Sequence, residues 1–230
     1  MSIALSVADL TAGYGETTVL RDVSFEVPEG EVMCLMGRNG AGKTTLLRAL
    51  MGVIPYRGTL HLEGRSISHW KGHAINAAGM VWAPQESPVF AGLTVRQHLE
   101  IASRGERTDR RIAAATSIFP VLGERLGQPA QTLSGGERKM LGIALAFVVD
   151  PKVVLMDEPT EGVAPVIVEQ LIEAIRVLTE TASVVLVEQN LDTGLALGSE
   201  AYVLEHGTIV ESGKIRTLHD EGVLQRRLAV

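Results

Sequence analysis

The sequence predicts an α/β fold, a largely parallel sheet covered by helices and interrupted by a helical insertion. Three observations predict it: short β-branched apolar runs alternate with stretches of helical period, a glycine-rich loop joins one such run to one such stretch, and a long central segment reads as helix after helix. At 230 residues the chain can bury a substantial core and suits a single domain of two lobes.

The runs at Val19 to Val27, Val32 to Met36, Thr59 to Leu62, Met80 to Ala83, Val153 to Met156 and Ser183 to Val187 read as strands. Between several of them, Lys43 to Met51, Glu137 to Val149 and Val166 to Thr179 repeat apolar residues at three and four, the helical spacing. After a Pro-containing stretch, residues 86–149 read as several helices, with Arg104 to Arg110 a polar connection between two of them. Strand patterns return at Ala201 to Glu205 and Thr208 to Glu211 around a His206-Gly207 turn, before a short helical end.

Composition excludes several classes of function. The hydrophobic share of 46% is ordinary for a soluble protein, and the apolar run Met140 to Val149 stops at Asp150, well short of a bilayer span. The N-terminal stretch lacks a basic leader and is too short and interrupted for a signal peptide, which points to the cytoplasm. A formal charge of -6 removes the broad attraction that nucleic acid needs, so no nucleic-acid partner is expected. The single Cys34, in an apolar run, reads as a buried thiol, and His69 with His73, a helical-looking pair without a nearby carboxylate, reads as solvated surface rather than a zinc site.

Gly37-Arg38-Asn39-Gly40-Ala41-Gly42-Lys43-Thr44 satisfies the phosphate-loop pattern in the required setting, after a strand and opening a helix. Its glycines let successive amide N–H groups turn inward around phosphate oxygens, and the helix start adds a dipole that favours anions. Lys43 then reaches the β- and γ-phosphates of a nucleotide, and Thr44 offers a hydroxyl to Mg²⁺. Val153 to Glu158 is an apolar strand ending in two acids, which a parallel sheet releases beside that loop. Asp157 can hold Mg²⁺, directly or through water, and Glu158 can take a proton from an attacking water. These motifs indicate nucleotide hydrolysis, a property GTPases, kinases and motor ATPases share. Leu133-Ser134-Gly135-Gly136-Glu137 adds a second phosphate-binding helix start, and doubles as a capping box in which Ser134 and Glu137 satisfy each other's backbone N–H.

With these motifs in this order, the chain resembles the nucleotide-binding subunits of ABC transporters over essentially its whole length. The resemblance implies a P-loop NTPase core with an N-terminal antiparallel β part, formed by residues 1–85 and 150–230, and an inserted helical subdomain at 86–149. It implies ATP and Mg²⁺ as ligands, with Thr45 joining the phosphate loop and Ser134, Gly135 and Gly136 closing over ATP held by a second, head-to-tail ATPase subunit, identical or homologous. Tyr14 matches the family's adenine-stacking aromatic, and Gln85 its Mg²⁺ and water sensor. Two positions depart from the common pattern. Gln189 stands where most members have a histidine that contacts the γ-phosphate, an amide that can donate but cannot become cationic. Ala164 stands where an aspartate is common.

Those departures, Glu161-Gly162-Val163-Ala164-Pro165 and Val187-Glu188-Gln189-Asn190, look like the ATPase subunits of branched-chain amino-acid importers and their urea and amide relatives. Gly92-Leu93-Thr94-Val95 and Leu204-Glu205-His206-Gly207 share that likeness. That arrangement implies two transmembrane permeases, an extracytoplasmic solute-binding protein, and a peripheral place on the cytoplasmic face of the inner membrane. A soluble ABC ATPase of DNA repair or translation is the alternative from another class, although the short segment before Ser134 has no room for a long coiled coil. Neither a P-loop kinase nor a GTPase explains Leu133 to Glu137, and no Asn-Lys-x-Asp base-reading motif occurs.

Overall fold

The computed structural model describes residues 2–86, 89–103, 105 and 108–229. Its centre is a six-stranded sheet in the order β10-β9-β3-β8-β7-β6, built from β3 (Val32–Met36), β6 (Met80–Ala83), β7 (Val153–Asp157), β8 (Ser183–Glu188), β9 (Glu200–Glu205) and β10 (Thr208–Lys214). All neighbours are parallel except β9 and β10, the hairpin whose turn residues His206 and Gly207 both have positive φ. A second, antiparallel sheet of β2 (Thr17–Pro28), β1 (Ile3–Tyr14), β4 (Tyr56–Leu62) and β5 (Arg65–Ser66) lies in the order β2-β1-β4-β5.

The central strands are apolar on both faces because both are covered. Val32, Cys34 and Met36 of β3, with Val154, Met156, Val184 and Leu186, face the larger helical layer. Met33, Leu35, Val153, Leu155, Val185 and Val187 face α1 (Lys43–Leu50) and the antiparallel sheet. Each of these fully buried aliphatic side chains contributes about 1.5–3 kcal/mol of transfer free energy.

Between β6 and β7 the chain runs through α3 (Val95–Ala102), α4 (Thr108–Ile118), α5 (Pro120–Glu124) and α6 (Gly135–Val149), preceded by the short α2 (Gly72–Ala78). Buried residues of α3 to α6 share one continuous core with that face of the sheet and with α7 (Pro165–Thr179). The chain closes with α8 (Leu191–Leu197), α9 (Ile215–Asp220) and α10 (Val223–Leu228). No helix among the described residues is long and apolar enough to cross a membrane.

Three readings of the sequence need correction. A twelve-residue strand, β1, occupies Ile3 to Tyr14, where no strand is assigned from the sequence. Its alternation breaks at Asp9, which adopts φ 53 in a bulge where its N–H donates to Ser24 Oγ, and alanines fill several of its positions. His69 and His73 do not share a helix, since His69 sits before α2 at φ 60 and stacks on Tyr56. The polar connection read at Arg104 to Arg110 falls partly on Arg104, Glu106 and Arg107, outside the described residues, and α4 already begins at Thr108.

Candidate functional site

The phosphate loop leaves β3 at Met36 and enters α1 at Lys43, so it lies at the carboxyl end of the parallel sheet. Gly42 caps α1 at φ 111, a left-handed conformation that a side chain would strain. At Gly37 the constraint is space, because a Cβ there would lie 2.5 Å from the Leu204 carbonyl oxygen. The loop is laced to the β9–β10 turn: the Gly207 N–H donates to the Ala41 carbonyl at 3.0 Å, and the Ala41 N–H donates to the Arg38 carbonyl at 3.1 Å.

Lys43 is only 5% exposed, and its ammonium donates to the carbonyls of Gly37 (2.7 Å) and Arg38 (3.2 Å). It also pairs with Glu158 Oε1 at 3.1 Å. Asp157 ends β7 almost wholly buried, where the Thr44 hydroxyl reaches its Oδ1 at 3.5 Å. Burial pushes the Asp157 carboxyl above its ordinary value despite that bond. The hydroxyl and carboxylate side by side form a pair of hard oxygen donors of the kind Mg²⁺ takes, and the Gln85 amide lines the neighbouring cleft.

Glu158 stands one residue past the strand at φ 47, a conformation that costs a non-glycine residue on the order of 1–3 kcal/mol. Its backbone is fixed on both sides: the N–H donates to the Val187 carbonyl at 2.9 Å, and the carbonyl accepts from Lys139 Nζ at 3.0 Å. Burial raises the Glu158 carboxyl, but the hydrogen bonds from Gln189 and Lys43 outweigh it and hold the group below its ordinary value.

Gln189, at the end of β8, donates through Nε2 to Glu158 Oε1 at 2.8 Å and to Asn39 Oδ1 at 2.6 Å. Gln189 thus joins the acidic strand end to the phosphate loop. Val19, Asn39, Gly40, Gly42, Lys43, Thr44, Thr45, Gln85 and Glu158 line one cleft. Gln85 also donates to the Glu161 carboxylate. Tyr14 is not a wall of this cleft: it is 43% exposed, and its hydroxyl accepts from Arg48 Nη1 of α1 at 2.9 Å. Arg38 and Ala41 face a different hollow, shared with His206 and Arg227.

The Leu133 to Glu137 motif forms the capping box that its spacing predicts. Ser134 Oγ accepts from the Glu137 N–H, Glu137 Oε2 accepts from the Ser134 N–H at 2.8 Å, and Arg125 pairs with Glu137 at 3.0 Å. Gly135 lines a separate hollow with Gln85, Glu86, Arg138 and Lys139. Ser134, Gly135 and Gly136 are therefore not among the walls of the phosphate-loop cleft in the same chain. Ala164 is the N-cap of α7 and supplies no side-chain cap.

Three side chains of this region carry no role of their own in the sequence reading. Asn39 is named there only as loop backbone, yet its side chain receives Gln189. Lys139 is half-buried on the signature helix; burial lowers its ammonium against the opposing pull of Glu161, Glu188, Glu158 and Asp157. Glu188 is 2% exposed and accepts from Thr160, Gln189 and Asn190. An acid at the end of an apolar strand beside β7 is the signal that could have found Glu188, since the same signal marks Asp157.

A family model described as ABC transporter matches residues 20–161. The high-affinity branched-chain amino acid transport ATP-binding protein BraG of Pseudomonas aeruginosa is 40% identical over 225 residues, covering 95% of this chain and 93% of that protein. The probable branched-chain amino acid transport ATP-binding protein LivF of Archaeoglobus fulgidus is 35% identical over 220 residues, covering 93% of each. Among solved structures, an ATP-binding subunit of an ABC transporter superposes with a TM-score of 0.86 at 25% identity, over 99% of this chain and all of that one.

Proposed function

The chain belongs to the ABC transporter family and is a transport-coupled ATPase, and from that premise we propose that it energises the import of branched-chain or other hydrophobic amino acids. The observation that carries the cargo is its near-full-length likeness to two ATP-binding proteins named for branched-chain amino-acid transport. In this reading it is one ATP-binding domain, core 1–85 and 150–230 with helical insertion 86–149. It sits peripherally on the cytoplasmic face of the inner membrane, against two permeases served by an extracytoplasmic binding protein.

The chemistry follows from the cleft. Backbone N–H groups from Gly37 to Thr45 surround the phosphates, and Lys43 leaves Glu158 for the β- and γ-phosphate oxygens. Thr44, Asp157 and Gln85 would hold Mg²⁺, which would supply neutralisation of phosphate charge. Once Lys43 turns away, Glu158 loses its nearest cation and becomes a better base. It accepts the proton of a water whose oxygen attacks the γ-phosphorus as the bond to the ADP oxygen breaks, giving ADP and phosphate. Gln189 keeps one N–H on Glu158 Oε1, and its other N–H, which lies on Asn39 Oδ1, turns to the γ-phosphate. Tyr14, tied to α1 through Arg48, offers its ring to adenine.

The separation of Ser134, Gly135 and Gly136 from the phosphate-loop cleft of the same chain supports a head-to-tail pair in which each chain supplies two half-sites. Deleting the gene in its host and following labelled leucine uptake tests the cargo. Uptake should fall and return with the wild-type gene but not with Glu158→Gln. Unchanged uptake of leucine, isoleucine and valine together with lost uptake of urea or a short amide would overturn it.

A further inference from the structure

We propose that Glu188 is a positioning residue that braces the Glu158–Thr160 segment to the Gln189–Asn190 segment and so sets the Gln189 amide on the Glu158 carboxylate. The proposal rests on the reading of Glu158 and Gln189 as the groups that act on the attacking water.

Each oxygen of Glu188 takes two donors. Oε1 accepts the Thr160 hydroxyl at 2.7 Å and the Thr160 N–H at 3.2 Å, and Oε2 accepts the N–H groups of Gln189 at 3.2 Å and Asn190 at 3.3 Å. One oxygen therefore grips the loop two residues past Glu158, and the other grips Gln189 itself. Between these grips lies the 2.8 Å contact from Gln189 Nε2 to Glu158 Oε1. A side chain 2% exposed with all four partners donating is fitted to a carboxylate, which offers about four acceptor positions and no proton.

Ala164 has no side-chain bond to offer, and the Glu161 carboxylate is engaged by Gln85. Thr193, fully buried on α8, stands 3.5 Å from the Thr160 hydroxyl and closes the pocket from behind.

Glu188→Gln keeps the shape but places an NH₂ against two donors on one side, so one of the two grips must open. The assembled transporter carrying the variant is tested by nucleotide fluorescence for MgATP affinity and by steady-state phosphate release. Affinity is expected to stay within about twofold while kcat falls on the order of tenfold to a hundredfold, the scale of a small displacement of reacting groups. Thr160→Val, which removes one donor from the other side, should lower kcat in the same sense, and the double variant should fall less than the two effects combined. A kcat within about twofold of the parent, or a loss of affinity in parallel with kcat, overturns the brace. If circular dichroism shows Glu188→Gln unfolded, Thr160→Val alone decides by the same criteria. Glu158→Gln measured alongside separates the two levels: full turnover there sinks the base assignment, whereas an inactive Glu158→Gln beside an unimpaired Glu188→Gln sinks only the brace.

Discussion

Gln189→Ala deletes one amide and with it two hydrogen bonds, to Asn39 Oδ1 at 2.6 Å and to Glu158 Oε1 at 2.8 Å. A hydrogen bond to a charged group contributes about 1.5–3 kcal/mol, and the partial exposure of Gln189 argues for the lower end. The bond to Glu158 favours the ionised acid, so what the variant loses in the transition state is the proposed bond to the γ-phosphate. About 1.4 kcal/mol there is tenfold in rate, so steady-state phosphate release by the assembled transporter should drop about tenfold, with the KM for ATP little changed. Gln189→His should return much of that loss and add a pH dependence. An imidazole gains its second donor N–H when protonated, so the rate of this variant should climb as pH falls through roughly 6.5, a step the parent lacks. Parent-like turnover by Gln189→Ala, or identical pH profiles for parent and Gln189→His, would refute the claim that this amide stands in for the histidine.

Three further outcomes follow from the same geometry. Glu158→Gln should still bind ATP while hydrolysis falls by roughly 10² to 10⁴-fold, measured by phosphate release against nucleotide fluorescence; retained turnover excludes it as the base. Ala164→Asp gives α7 the side-chain cap it lacks and should stabilise the fold by about 0.5–2 kcal/mol, read as a rise in the chemical denaturation midpoint. A midpoint that does not rise would mean the aspartate points away from the helix start. Burial, with a smaller contribution from Glu188, pushes the Cys34 thiol up to about 12, so at pH 8 the native protein should resist iodoacetamide and label only on unfolding; rapid native labelling would contradict the closed packing of β3.

What was legible in the sequence is what has a local cause. The phosphate loop, the acidic strand end and the capping box are each contiguous and carry their pattern in their spacing, so the capping box and the meeting of Lys43 and Thr44 with Asp157 and Glu158 could be expected without a structure. The central strands were legible because burial on both faces leaves an unbroken apolar run. β1 was not, since a bulge at Asp9 shifts its alternation by a residue, and a period of two read across the shift cancels. Contacts between distant segments were out of reach in a different way. Gln189 and Asn39 are 150 residues apart, and Lys139 reaches Glu158 from another helix, so only the fold makes them neighbours.

The position of Lys43 gives these contacts a common logic. Its ammonium is shared among two loop carbonyls and Glu158, an ion pair of which both members are almost out of solvent. Such a pair adds little to stability, because the desolvation of two charges offsets most of their attraction. Its effect is on reactivity, since Lys43 and Gln189 together keep the Glu158 carboxyl low and therefore a weak proton acceptor. In the proposed mechanism a nucleotide that draws Lys43 onto its phosphates removes the nearer cation and leaves Gln189 on Glu158, so the base gains strength as the nucleotide binds. The strained backbone at Glu158 fits this arrangement. Its φ of 47 turns the carboxylate out of the strand toward Lys43 and Gln189, while Val187 and Lys139 hold the peptide on either side. A substrate that takes Lys43 thus changes the electrostatics of Glu158 without releasing its backbone.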